Sequence, residues 1–202
     1  RILSSAASDV YKRQDLYVSN FRGKNRLYKN NGDGTFTDVA EDLAVSNPIS
    51  SFPAWFWDFD NDGHLDIFVA SYSGNIEQLA AYKSNEPAEF EKLCLYQNNG
   101  KGGFIEIAGK VGLDDPVLPM GSNFGDINND GYLDFYLGTG DPGYGSLMPN
   151  LMYLNKGGKQ FVDVTMASRL GHLQKGHAVA FADLDNDGAV SYTHLTLPTI
   201  GC

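Results

Sequence analysis

Apolar and polar positions alternate over short stretches of this chain, and Gly, Asn and Asp punctuate them. Phe36-Thr37-Asp38-Val39, Phe104-Ile105-Glu106-Ile107 and Phe161-Val162-Asp163-Val164 each alternate with period two, which predicts half-buried strands. Asp15-Leu16-Tyr17-Val18-Ser19, Asp66-Ile67-Phe68-Val69-Ala70 and Asp134-Phe135-Tyr136-Leu137-Gly138 are nearly continuous apolar runs behind an Asp, as expected of strands covered on both faces. Leu27-Tyr28-Lys29-Asn30-Asn31-Gly32, Leu95-Tyr96-Gln97-Asn98-Asn99-Gly100 and Met152-Tyr153-Leu154-Asn155-Lys156-Gly157 form a third set, and their Asn and Gly residues predict hairpin turns. Leading strands are predicted at Pro53 to Trp57, Gly121 to Phe124 and His177 to Phe181. The one helical signal is a short segment around Ile76 to Tyr82.

These sets recur in a fixed order: strand, acidic loop, strand, variable connection, strand, Asn-Gly turn, strand. From loop to loop the period is 68 residues (Asp58 to Asp126) and then 57 (Asp126 to Asp183). Four antiparallel strands at this period predict an all-β chain that is a fragment of a β-propeller, with about three blades. The predicted blades are 15–40 (partial), 53–108, 121–165 and 177–189 (partial). A β-helix would have shorter rungs, and a sandwich would not repeat itself.

The acidic loops carry the chemistry. Asp58, Asp60, Asp62 and Asp66 occupy positions one, three, five and nine of the first, and Gly63 sits at position six. Asp126, Asn128, Asp130 and Asp134 repeat the frame with Gly131, and Asp183, Asp185 and Asp187 with Gly188 begin a third copy that has Ser191 at position nine. Asp15 falls where a ninth position would. Alternate side chains can turn inward around one hard cation, the glycine supplies a left-handed turn, and an all-oxygen donor set favours calcium. The expected ligands are these side chains with the main-chain carbonyls of His64 and Tyr132 at position seven. A polar Asx turn without metal is the plain alternative, weakest for the two complete loops. An EF-hand is excluded because its bidentate Glu at position twelve is Val69 or Leu137 here.

The two ends lack the pattern. Residues 1–14 and 190–202 resemble translated sequencing-adaptor read-through and are expected to be non-native, leaving 15–189 as the propeller fragment. Cys94 is then the one cysteine left to consider, and no disulfide framework is expected. The formal net charge is −10. Setting aside Arg1, Lys12 and Arg13 against Asp9 makes it −12, which argues against nucleic acid or an anionic membrane as partner. No apolar run is long enough to span a bilayer.

The Asp-x-Asp-x-Asp-Gly-x-x-Asp frame, with Phe124-Gly125-Asp126 leading into the second loop, resembles the FG-GAP/VCBS repeats of integrin-α-like propellers, especially the ASPIC/UnbV (cartilage acidic protein) type. Phe56-Trp57-Asp58 and Phe181-Ala182-Asp183 are looser versions of the same step. The resemblance implies a seven-bladed propeller, secreted or on the cell surface, with calcium in the first hairpin of several blades.

Antiparallel geometry puts the variable second-to-third connections at the end opposite the acidic loops. Variable loops on a rigid scaffold are where recognition sits, so Tyr72, Tyr82, Phe90, Asp141 and Tyr144 are candidate ligand residues, against local packing as the plain reading. The expected function is a non-catalytic, calcium-stabilised extracellular module that recognises protein or glycan. The alternative is the propeller portion of a secreted polysaccharide-acting enzyme (lyase-like) or a lectin. His172 and His177 lie near a blade boundary, but no Ser or Cys nucleophile has a recognisable partner.

Overall fold

A computed structural model of the chain describes residues 14–140, 143 and 147–182, together with the backbone of 191–195. The fold is all-β, arranged as successive antiparallel meanders. β1 (Leu16–Val18), β2 (Arg26–Asn30) and β3 (Phe36–Asp38) form the first sheet. β4 (Ser51–Trp57), β5 (Asp66–Ser71), β6 (Cys94–Asn98) and β7 (Phe104–Glu106) form the second, in sequence order. The third repeats it with β8 (Pro119–Gly125), β9 (Asp134–Thr139), β10 (Leu151–Asn155) and β11 (Phe161–Asp163). β12 (Ala178–Ala182) opens a fourth and pairs with β13 (Ser191–Leu195). β13 falls in the segment that the sequence marks as non-native, where a lone leading strand was expected.

The predicted strands and the observed ones agree to within two residues at the leading strands. Register is repeated from blade to blade. Trp57 pairs with Asp66 and Gly125 with Asp134, so each acidic loop is the connection that closes a β4–β5 or β8–β9 hairpin. The leading strands β4, β8 and β12 neighbour one another, which places them innermost and fans the other strands outward.

The core lies between blades. β5 is buried along its whole length. Ile67 and Val69 face the first blade, packing with Leu27, Val45 and Tyr96, while Phe68 and Ala70 face the third with Phe135 and Leu137. That is why the second strands read as unbroken apolar runs rather than alternating ones. Between the second and third blades the packing is aromatic: Trp57 stacks on Phe161 at 5.7 Å, Phe68 meets Phe135 at 5.1 Å and Trp55 meets Phe124 at 5.4 Å.

α1 (Ile76–Lys83) lies in the long connection between β5 and β6. Asn75 caps it by accepting the Gln78 N–H at 2.8 Å. Two short helical turns were not predicted, a 3₁₀ turn at Ala108–Val111 and α2 (Thr165–Ser168). Each follows a fourth strand and starts the passage to the next blade.

Candidate metal loops and the opposite face

In the first loop, backbone hydrogen bonds fix the carboxylates. Asp58 accepts the N–H groups of Asp62 and Gly63, both at 3.0 Å. Asp66 is fully buried and accepts Phe59 N–H at 3.3 Å and Asn98 N–H at 2.8 Å. Two residues take left-handed backbone, Gly63 (φ 86°) at position six and Asn61 (φ 59°) at position four. The expected left-handed position is the glycine alone. Asn at position four was also a signal, because Asn tolerates this region better than other non-glycine residues.

Ligand atoms of Asp58, Asp60 and Asp66 all lie within 4.8 Å of one another, the one such acidic or His/Cys group among the described residues. Asp60 donates nothing and accepts Gln97 Nε2 on one oxygen at 2.6 Å. Its other oxygen, Oδ1, is buried with no protein partner. Burial pushes the Asp66 carboxyl up to about 7, and the charges of Asp60 and Asp62 add to the shift against two lowering backbone hydrogen bonds. Three converging carboxylates and an orphaned buried oxygen fit a hard divalent cation, which would satisfy the oxygen and reverse the penalty on Asp66. Asp62 stays outside the converging set, its Oδ1 accepting the His64 N–H at 2.8 Å.

The second loop shares the backbone plan. Asp126 accepts Asp130 N–H and Gly131 N–H at 3.0 and 2.8 Å; buried Asp134 accepts Ile127 N–H and Asn155 N–H at 2.9 and 2.8 Å. Burial raises the Asp134 carboxyl too. Its remaining polar atoms satisfy one another. Asn128 Oδ1 accepts Asp130 N–H, Asn128 Nδ2 donates to Asp130 Oδ2, and Asp130 Oδ1 accepts Tyr132 N–H, each at 3.0 Å. Asp15 takes the ninth-position role, accepting Asn30 N–H at 2.8 Å. Asp183, Asp185 and Asp187 lie outside the described residues.

One residue set was missed as part of the loops. Asn30, Asn98 and Asn155 each give their backbone N–H to a ninth-position Asp, and each side-chain amide donates to the carbonyl just before that Asp (Gln14, Leu65 or Leu133) at 3.1–3.3 Å. The repeated Asn is visible in the sequence, where its place ahead of a glycine marks it only as a turn former.

At the opposite end the candidate ligand residues fall into two groups. Tyr82 meets Phe90 edge-on at 5.7 Å, and Lys83 beside them pairs with Asp115 at 3.0 Å. Burial pushes the Tyr82 hydroxyl up to about 12, with Asp114 adding. Tyr72 packs instead against Phe52 (4.6 Å) and Phe21 (5.9 Å), and Phe52 stacks on Phe21 at 5.4 Å. Phe21 and Phe52 are 48% and 39% exposed, so this cluster bridges the first two blades at the surface. Asp141 and Tyr144 lie outside the described residues. A 490 Å³ cleft lined by Tyr17, Trp55, Ser122 and His177 runs along the leading strands. Cys94 is buried, and its thiol is pushed up to about 12 by that burial.

Antiparallel blades of up to four strands, with an acidic loop joining the first two strands of the second and third, define this chain as part of a β-propeller. The FG-GAP-like repeat family matches residues 12–69 and again 58–137, and the chain belongs to that family. Cartilage acidic protein 1 of Xenopus tropicalis is 30% identical over 138 residues, covering 67% of this chain and 18% of that relative. Cartilage acidic protein 1 of Homo sapiens is 38% identical over 74 residues, covering 36% of this chain and 10% of its own length. The chain thus spans less than a fifth of these relatives. Among the described residues no helix is long and apolar enough to cross a membrane.

Proposed function

We propose that this chain is a calcium-stabilised, non-catalytic part of an extracellular propeller, one that recognises protein or glycan through the face opposite the acidic loops. The observation that carries the proposal is the convergence of Asp58, Asp60 and Asp66 within 4.8 Å around a buried, unpartnered Asp60 oxygen. A bound cation would supply positive charge that ties the strands of each first hairpin into one shape. Extracellular modules of this kind bind calcium at roughly 0.1–1 mM, which fills them outside a cell and leaves them empty in the cytosol. The resemblance to cartilage acidic protein 1 and the acidic charge support the same setting.

Recognition is assigned to the Phe21, Phe52 and Tyr72 cluster, because the large apolar rings of Phe21 and Phe52 remain exposed there. Calcium titration by calorimetry on chelator-stripped chain, with magnesium as control, tests the scaffold. Binding in the stated range with a rise in melting temperature is expected; a folded chain that binds no calcium would reduce the loops to polar turns. Binding to a panel of glycans and extracellular proteins, lost in Phe52→Ser and Tyr72→Ser, tests the face.

A further inference from the structure

Gln97 and Leu154 occupy equivalent places, each one residue before the Asn that braces a ninth-position Asp. Their loops differ in the same sense. Where the third strand carries Gln97, position three is a carboxylate, and the amide holds Asp60 at 2.6 Å by one oxygen. Where it carries Leu154, which has no donor, position three is the neutral Asn128, which turns back onto Asp130. Asp60 is half-buried against the next blade, whereas Asn128 is exposed.

We propose that Gln97 is a positioning residue that sets the cation affinity of the first loop and makes it the tighter of the two. This rests on the calcium reading given above. An ionised carboxylate without a cation can turn either oxygen to solvent or to a backbone N–H. The Gln97 amide takes one of the Asp60 oxygens and so leaves the other, Oδ1, without any protein partner. Asp60 is thereby oriented before the ion arrives, and that reorganisation need not be made on binding. In the second loop the equivalent atoms already satisfy each other, and a cation would have to break the bonds between Asn128 and Asp130.

The test is calcium titration of the full chain, wild type, Q97L, D60A and the reciprocal double variant N128D/L154Q. Terbium luminescence resolves the sites, since Trp57 directly precedes the first loop and Tyr132 lies within the second. Q97L should weaken first-loop affinity about tenfold or more while its melting temperature in chelator stays at the wild-type value. N128D/L154Q should tighten the second loop. Unchanged first-loop affinity in Q97L, with D60A abolishing that site, overturns the role of Gln97 and leaves the calcium reading standing. Wild-type chain with no first-loop binding overturns both. A Q97L melting temperature that falls equally with and without calcium overturns the positioning role in favour of a packing one.

Discussion

Asn155 donates its side-chain amide to the carbonyl of Phe59 at 2.7 Å, from the third strand of one blade into the acidic loop of the blade before it. The same amide reaches Leu133 at 3.3 Å, and Asn155 Oδ1 accepts Gly158 N–H at 2.8 Å. One fully buried side chain therefore braces its own metal-type loop and the neighbouring one. Asn61 returns the contact, donating to the Gly131 carbonyl at 2.9 Å. The loops are thus not independent ornaments on separate blades; they are stitched along one end of the sheet stack.

Asn155→Ala should accordingly lower stability by about 1–3 kcal/mol, since it leaves the buried carbonyl of Phe59 without that donor. Asn98→Ala, at the equivalent but more accessible place, should cost about 0.5–1.5 kcal/mol. Denaturant unfolding of the two variants measures the difference, and equal losses would count against the inter-blade role of Asn155.

Gly158 packs directly against the first acidic loop. A Cβ there would stand 2.6 Å from Asp60 Cα, and its φ of +70° is left-handed. Gly158→Ala should therefore destabilise the chain by about 1–3 kcal/mol and, by displacing Asp60, weaken calcium binding at the first loop alone. Calorimetric titration showing the first loop untouched in a folded variant would contradict this coupling.

Much of this was legible in advance because the repeat shows itself three times. Period-two alternation, unbroken runs and Asn-Gly turns recur in register, so Trp57, Gly125 and the strands after them were placed to within a residue or two. The position of Asp15 as an isolated ninth residue was also readable, and Asn30 bonds to it as Asn98 does to Asp66. What could not be read was anything made between blades. Asn155 and Gly158 look like ordinary hairpin residues, and only the register of one blade against the next gives them Phe59 and Asp60 as neighbours. The same holds for Phe21, which belongs to the first blade and meets Phe52 and Tyr72 of the second across a blade boundary.

Asp60→Ala should remove one calcium from the binding stoichiometry, and Asp130→Ala should do so at the second loop. The two differ in the apo protein. Asp60→Ala relieves charge near the buried Asp66, so its stability in chelator should equal or exceed the wild-type value. Asp130→Ala removes the acceptor for both Asn128 Nδ2 and Tyr132 N–H in an exposed loop, so a loss of about 0.5–1 kcal/mol is expected. Melting curves in chelator and in saturating calcium separate these outcomes.

The pH dependence should disappear when calcium is bound. The folded chain holds the Asp66 carboxyl at about 7 against an ordinary 3.8, so between those values the folded state binds a proton that the unfolded state has released. The stabilisation from that proton is complete below the unfolded value and is lost as pH rises through the folded one. Asp134 is shifted in the same direction. Asp33 and Asp38 are shifted downward, and their opposite effect is spent below the ordinary carboxylate range. In chelator the melting temperature should therefore fall between about pH 5 and about pH 8. Calcium requires the ionised carboxylate, so its binding should release a proton at the lower pH and tighten as pH rises toward neutrality. With saturating calcium both the folded and the unfolded chain hold Asp66 ionised over that interval, so the melting temperature should be nearly independent of pH there. A chelated chain that gains stability over that interval would show that Asp66 is ionised in the folded state without a cation, and would remove the electrostatic reason for the loop to be filled.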